Sequence, residues 1–382
     1  MRLNRLIPVI IVLAVFLAIG IVAGLTANWF PDQASAEAVS VDSLFNFMLA
    51  IAVFIFLIVE VGIVYTIIRF RVRKGDESDG RNYHGNTALE ITWTAIPAVI
   101  VFVLAILSFQ VFADLRTPGE NAVVIGARGQ QFQWSFLYPL PARGETELAN
   151  DPEKRDKVLS YMVDSALYVP LNHPVTMDIT AVDVMHAFYV PEFRVKQDAI
   201  PGRVTNTYFT PTKLGEYAVE CAELCGSGHG NMSLISKVHI VEQADFDAYL
   251  EGLYDKAIGI VNDPRNAEVG KVLLASGRYP CSGCHILTDA YPTQNKIGPS
   301  LNGIATRAAE HAANGEGVLG GNDAAAYIRT SIVNPNLYIV AGYPPGVMPQ
   351  NFGDRSIMPE DDLEAIVNYL LTQCSEMPCP QQ

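Results

Sequence analysis

Three long apolar runs, at about residues 6–25, 44–68 and 91–113, constrain this chain more than any other feature. A run of about 20 apolar residues spans a bilayer as a helix. Inside hydrocarbon the backbone has no water to bond, so each run is committed to helix. Arg2 and Arg5 precede the first run, and Ala34-Ser35-Ala36 beyond it has the form of a peptidase site. Its length exceeds the roughly 7–15 apolar residues of a signal-peptide core, which favours a retained helix over a cleaved leader. The loop before the second run carries Asp32, Glu37 and Asp42 without Lys or Arg, whereas the loop after it opens with Arg69, Arg71, Arg73 and Lys74. The basic loop is therefore cytoplasmic, and everything beyond residue 114 lies outside. Trp29 and Trp93 fall near helix ends, as interfacial aromatics do. Glu60 within the second run is costly and so suggestive of function.

Residues 1–115 thus form a transmembrane helical region. Beyond it the formal net charge of −14 for the whole chain, with no basic stripe, excludes nucleic acid as a partner. Short β-rich runs (122–127, 131–138, 175–182, 187–190, 205–210, 217–220 and 234–241), punctuated by Pro201-Gly202, Pro211 and Gly215, predict an antiparallel sandwich or barrel over 116–253. The polar interval 139–160 reads as an exposed insertion, and 245–253 as a short closing helix. A linker is expected at 254–262. From 263 to 382 the pattern is helical, with helices expected at 267–276 and 359–372. Glu360, Asp361 and Asp362 suit the N-terminus of the last of these.

The six cysteines fall in three tight pairs: 221/225, 281/284 and 374/379. In Cys221-Ala-Glu223-Leu-Cys225-Gly-Ser-Gly-His229-Gly-Asn-Met232 two thiols, an imidazole and a thioether form a soft donor set that suits copper. A Cys221–Cys225 disulfide and a zinc tetrahedron completed by a distant histidine are the alternatives. Met232 argues against zinc, because a thioether is a weak ligand that copper accepts. Of the seven histidines, His84 is cytoplasmic, His285 belongs to another motif, His311 lies in the helical region, and His173 and His239 sit in a turn and a strand. His186, between two hydrophobic strands, is the best further donor.

Cys281-x-x-Cys284-His285 has the form of c-type haem attachment, with His285 as iron ligand. A redox dithiol is the alternative, but no βαβ unit surrounds the motif. Met348, in the loop 342–349, is the expected sixth ligand, ahead of Met358 at the start of the last helix. Cys374 and Cys379 are expected to form a terminal disulfide.

Transmembrane helices followed by Asp183-Val-Met-His186, Val195–Arg203 and the C-x-E-x-C-G-x-x-H-x-x-M loop resemble the cytochrome c oxidase subunit II family. The resemblance implies a cupredoxin-like domain with a binuclear CuA centre. Cys221 and Cys225 would bridge two coppers, His186 and Met232 completing one and His229 and the Glu223 carbonyl the other. The Glu223 carboxylate would reach a magnesium shared with subunit I. Glu90 matches the family's glutamate at a proton-channel entrance, although Thr87-x-x-Glu90 also reads as a plain capping box. Phe132 stands where the family usually has the tryptophan that receives electrons from soluble cytochrome c, while Trp134 is expected in the core.

Residues 263–382 resemble a small class I cytochrome c, in which the Pro299 carbonyl orients His285. The whole then resembles subunit II of a caa-type oxidase in a bacterial cell membrane. Electrons would pass from an external donor, cytochrome c or a respiratory complex, through haem c and CuA to subunit I, where O2 is reduced and protons are pumped. A subunit of a CuA-type nitric oxide reductase and a stand-alone membrane-anchored electron carrier are the alternatives.

Overall fold

Each of the three apolar runs is a helix, and each helix is longer than its run, the second and third being extended by polar N-caps. The computed structural model describes residues 3–26, 29–72, 74–75, 84–290, 297–319 and 321–375. The chain divides into two units, Met1–Thr117 and Pro118–Gln382. The first contains α1 (Leu3–Thr26), α2 (Ala36–Phe70) and α3 (Thr87–Leu115), all long and apolar enough to cross a membrane. Ser35 caps α2 by accepting from the Ala38 amide at 3.1 Å. Gly20 and Gly24 share one face of α1, where a Cβ would lie 2.6 Å from the carbonyls of Ala50 and Asn46 of α2. Small residues at this spacing let apolar helices approach closely where lipid removes the hydrophobic drive.

At α3 the cap differs from expectation. Asn86, not Thr87, accepts from the Leu89 amide, at 3.2 Å, and Glu90 Oε1 accepts from the Asn86 amide, also at 3.2 Å. Glu90 thus closes a reciprocal cap one residue earlier than the sequence motif suggested. Glu60 is exposed on α2.

The second unit opens with eleven strands: β1 (Val123–Gln130), β2 (Gln133–Leu137), β3 (Val163–Asp164), β4 (Leu167–Pro170), β5 (Val175–Ala181), β6 (His186–Val190), β7 (Val195–Ala199), β8 (Thr205–Phe209), β9 (Gly215–Ala218), β10 (Glu220–Cys221) and β11 (Lys237–Val241). They form sheets ordered β3-β2-β1-β5-β8, β10-β6-β7 and β4-β11-β9. The expected all-antiparallel arrangement is corrected at two places: β1 runs parallel to β5, with Val123 beside Val175, and β4 runs parallel to β11. Parallel neighbours need a long crossover. The stretch 138–174 supplies one between β1/β2 and β5, and it contains α4 (Ala142–Glu147) and α5 (Pro152–Leu159). The interval 139–160 is therefore more than an exposed insertion, since Leu140, Leu148 and Val158 are buried.

Strand β5 alternates strictly, burying Val175, Met177, Ile179 and Ala181. These side chains and Trp134, Phe136 and Phe188 belong to the β core that seats the site. Strand β11 starts at Lys237 rather than 234, because α6 (Asn231–Ile235) occupies the residues before it.

The expected linker 254–262 is helical. Helix α7 runs from Gln243 to Asn262, because the stripe Phe246, Leu250, Leu253, Tyr254, Ala257 and Ile260 continues through it and is buried. Beyond it lie α8 (Ala267–Ala275), a 3-10 turn (Pro280–Gly283), α9 (Ile304–Ala313), α10 (Ala324–Val333) and α11 (Glu360–Leu370). Among the described residues no strand follows Val241. Cys379 lies outside the described residues.

Candidate metal centre

Strand pairing brings the first two donors together. In the β6–β10 ladder Cys221 stands opposite Phe188, which puts it beside His186 at the start of β6. The Ala222 amide donates to the Ala187 carbonyl at 2.9 Å and fixes the chain as it leaves β10. The loop then turns at Gly226, whose φ of 130° favours glycine. Helix α6 returns the chain so that Met232 points inward, fully buried.

All six predicted donor groups converge. Cys221 Sγ lies 3.7 Å from His186 Nδ1, 3.9 Å from Cys225 Sγ and 3.2 Å from the Glu223 carbonyl oxygen. Cys225 Sγ lies 3.5 Å from His229 Nδ1 and 3.6 Å from Met232 Sδ. Donors sharing a metal at bond lengths of about 2.0–2.3 Å, as nitrogen and sulfur do on zinc, are spaced in this way. Both cysteines are free, so a Cys221–Cys225 disulfide is not what organises the loop. The ligand atoms of His186, Cys221 and Cys225 all lie within 4.8 Å of one another, and all three residues are buried. The Glu223 residue is exposed, so its carbonyl faces sulfur while its carboxylate is free to reach outward.

Asp183 holds the metal-facing nitrogen in place, a role that sequence reading missed. Its Oδ1 receives His186 Nε2 at 2.9 Å and the Val184 amide at 2.7 Å, and its Oδ2 receives the Gln131 amide at 2.8 Å. A histidine that donates one ring nitrogen to a carboxylate presents the other as a lone pair. Burial opposes charging of His186, but the hydrogen bonds to Asp183 and Cys221 outweigh it and push its pKa up to about 9. The Cys221 thiol is lowered to about 3, chiefly by its hydrogen bond with Cys225. Gln131 also donates its side-chain amide to the Cys225 carbonyl. A Cβ on Gly129 would meet the His186 ring at 3.0 Å, so glycine makes room for the imidazole. Trp134 is fully buried, 6.0 Å from that ring, as expected of a core residue.

The second predicted cluster lies in the helical region of the same unit. Cys281, Cys284, His285, Pro299 and Met348 line one largely apolar cavity. His285 Nδ1 is 2.7 Å from the Pro299 carbonyl. Burial lowers the His285 pKa, so the ring is held neutral, and burial raises the thiols of Cys281 and Cys284 to about 12 and about 11. Met358 is 1% exposed and does not line the cavity.

Residues 20–111 match the family model for the transmembrane domain of cytochrome c oxidase subunit II, and residues 123–239 match that for its periplasmic domain. Cytochrome c oxidase subunit 2 of Synechocystis sp. is 34% identical over 283 residues, covering 60% of this chain and 80% of its own. The chain belongs to the cytochrome c oxidase subunit II family.

The subunit 2 of Thermostichus vulcanus is 36% identical over 274 residues (61% of this chain, 83% of its own). That of Alkalihalophilus pseudofirmus is 29% identical over 340 residues, 85% of each chain. A crystal structure of the periplasmic domain of subunit II of cytochrome oxidase from Bradyrhizobium japonicum is similar at 32% identity, covering 37% of this chain and 99% of that one, with TM-score 0.29. This subunit II is thus a membrane-anchored part of a haem-copper terminal oxidase, an oxidoreductase complex, and associates with other oxidase subunits. Its cupredoxin-like periplasmic domain implies a CuA copper site, for which His186, Cys221 and Cys225 form the candidate metal group.

Proposed function

We propose that this subunit II carries a covalent haem c and a binuclear CuA centre in series, and is the subunit through which electrons reach a caa-type oxidase. The observation that carries the reading is the pairing, in one unit, of a six-donor soft-metal cluster with a C-x-x-C-H motif set on an apolar cavity. The relative whose match covers 85% of this chain adds weight, because such a match runs well into the helical region that holds the motif.

The residues suit both groups. Half-buried Cys281 and buried Cys284 are both free and so available for thioether attachment. His285, neutral and tethered through Nδ1 to Pro299, offers Nε2 to iron. Met348, on the same cavity, would be the second protein ligand of the iron, and a methionine there would raise the potential. At the copper site Cys221 and Cys225 would hold both metals, with His186 and Met232 completing the donors of one and His229 and the Glu223 carbonyl those of the other. The copper pair supplies a one-electron acceptor whose charge is shared over two metals. The exposed carboxylate of Glu223 is positioned for a magnesium ion at the subunit I interface, and Glu90 for proton uptake on the cytoplasmic side.

The chain then acts in a bacterial inner membrane, its soluble part on the periplasmic side. It accepts electrons from an external cytochrome c or respiratory complex, for O2 reduction to water and proton pumping in subunit I. Purifying the native complex and measuring oxygen uptake together with haem c and copper content tests the reading. A complex that consumes oxygen but holds no haem c would remove the fused cytochrome from it.

Two ligand predictions are expected to hold in that complex. Met232→Leu should alter the mixed-valence copper resonance and leave haem absorption as it was; an unaltered copper signal would take Met232 out of the ligand set. Met348→Leu should keep haem attached and abolish Met-type ligation, whereas persistence of the Met-type absorption band would move the assignment to Met358.

A further inference from the structure

Strand β2 is buried on both faces, and its second face carries the inference. Trp134 and Phe136 turn into the β core, where the Trp134 and Phe188 ring centroids lie 5.7 Å apart, edge to face. Side chains two apart share a face, so Gln133 and Ser135 point the other way, the side on which an alternating strand ordinarily meets water. Here the helical region covers it. Gln133 is 0% exposed. Its Nε2 donates to the carbonyls of Gly277 at 3.0 Å and Tyr279 at 3.1 Å, and its Oε1 accepts from Ser282 Oγ at 2.5 Å. Ser135 Oγ donates to the Gly277 carbonyl, and Gln130 Nε2 donates to the same oxygen at 3.2 Å.

Ser282 and Gly283 are the two residues between Cys281 and Cys284. A Cβ on Gly283 would lie 3.0 Å from the backbone nitrogen of Phe132 and 3.2 Å from its carbonyl carbon and oxygen. The Phe132 ring in turn lies against Gly228, where a Cβ would overlap it and come within 2.6 Å of Ile297 Cδ1. Gly228 directly precedes His229, and Ile297 lines the cavity that holds His285. Glycines on both sides of Phe132 therefore bring the C-x-x-C-H loop and the metal loop onto the same residue.

We infer that Gln133 is a positioning residue for electron transfer. It holds the Cys281–Cys284 loop in register against Phe132 and Gly228, making the helical region a fixed donor to the metal loop. The inference rests on the reading of Cys281–His285 as haem attachment. A tether alone raises only the effective concentration of a partner that still has to dock. A loop gripped through both ends of a buried amide has no docking step, and rigid support of this kind is what a reaction sensitive to position requires. With both groups bound, each transfer would oxidise the haem iron from ferrous to ferric and reduce the copper pair from mixed-valence to fully cuprous by the same electron, with no proton or ligand transferred.

The test uses the full chain in its oxidase complex. One electron is injected photochemically into the haem, and its arrival at copper is followed by absorbance, for wild type, Gln133→Leu and Gly283→Ala. Both variants are expected to keep haem and copper spectra and midpoint potentials. Transfer should slow several-fold in both variants, because electron transfer weakens steeply as the path between donor and acceptor lengthens and loosens. The wild-type rate should be independent of solvent viscosity, and the variant rates should fall with it. Unchanged transfer in both variants, or a wild-type rate that falls with viscosity, would overturn the inference alone. A wild-type complex without haem c would overturn the functional reading and this inference with it.

Discussion

Replacing Asp362 with alanine is expected to destabilise the periplasmic part of the protein by roughly 3–5 kcal/mol, the cost of leaving a buried ion-pair partner uncompensated. Asp362 is 0% exposed in the first turn of α11. It receives the Arg278 guanidinium at 3.1 Å, Tyr161 Oη at 2.7 Å and Tyr279 Oη at 2.5 Å. Arg278 also donates to the Ser160 carbonyl and stacks over the Tyr161 ring at 4.3 Å. Ser160 and Tyr161 belong to the β-rich crossover, whereas Arg278, Tyr279 and Asp362 belong to the helical region. The carboxylate is therefore the centre of a clamp between them. In the alanine variant Arg278 keeps its desolvated setting and loses its counter-charge, and two tyrosine hydroxyls lose their acceptor. At roughly 2–4 °C per kcal/mol for chains of about this size, the midpoint of thermal unfolding should fall by about 6–20 °C. The neutral isostere Asp362→Asn, which keeps one acceptor oxygen but no charge, should fall in between. A midpoint within about 1 °C of wild type for alanine would show that the network carries no net stability, as holds for many exposed ion pairs.

This acid shows where sequence reading stops. In the sequence Asp362 is one of three acids at a helix N-terminus, which the helix dipole explains without any partner. Nothing local distinguishes it from Glu360 and Asp361, because its partners come from distant segments. The metal loop was legible for the opposite reason: Cys221, Glu223, Cys225, His229 and Met232 are close in sequence, and their chemistry excludes most other uses. His186 followed by elimination among few histidines, and the Pro299 contact to His285 followed from the cytochrome c resemblance. Lengths of apolar runs gave the three helices because hydrocarbon leaves the backbone no alternative. What stayed hidden depends on pairing across the fold. The parallel partnership of β1 with β5 has no local signature, the short strands β3 and β4 carry too few residues for a period, β7 buries only its end residues Val195 and Ala199 and so does not alternate, and the Gln133–Ser282 contact is visible only once the polar face of β2 is seen to be covered. The extension of α7 through 254–262 was legible in principle, since Ala257 and Ile260 continue its apolar stripe.

Asp183→Asn is expected to weaken copper binding by about 10–100-fold, the usual loss when the partner behind a metal-ligating histidine is removed. As a carboxylate, Asp183 accepts from His186 Nε2 and the Val184 amide on Oδ1 and from the Gln131 amide on Oδ2. All three neighbours donate, and an asparagine has only one acceptor atom. If the asparagine oxygen faces His186, its NH2 group is driven against the Gln131 amide, next to Phe132. If it faces Gln131, the NH2 group points at Nε2 and drives the ring proton to Nδ1, the nitrogen 3.7 Å from Cys221 Sγ that the metal requires as a lone pair. Either orientation leaves one contact repulsive, and loss of the negative charge weakens the imidazole as a donor. Competition against a chelator of known affinity, read through the mixed-valence resonance, measures the change, and haem absorption serves as an internal control that should not move. Asp183→Glu, which keeps the charge, should recover part of the affinity. Equal affinity and an identical resonance in the asparagine variant would mean that the ring is oriented by packing against Gly129 and Trp134 alone, and that the Asp183 carboxylate contributes nothing to the copper site.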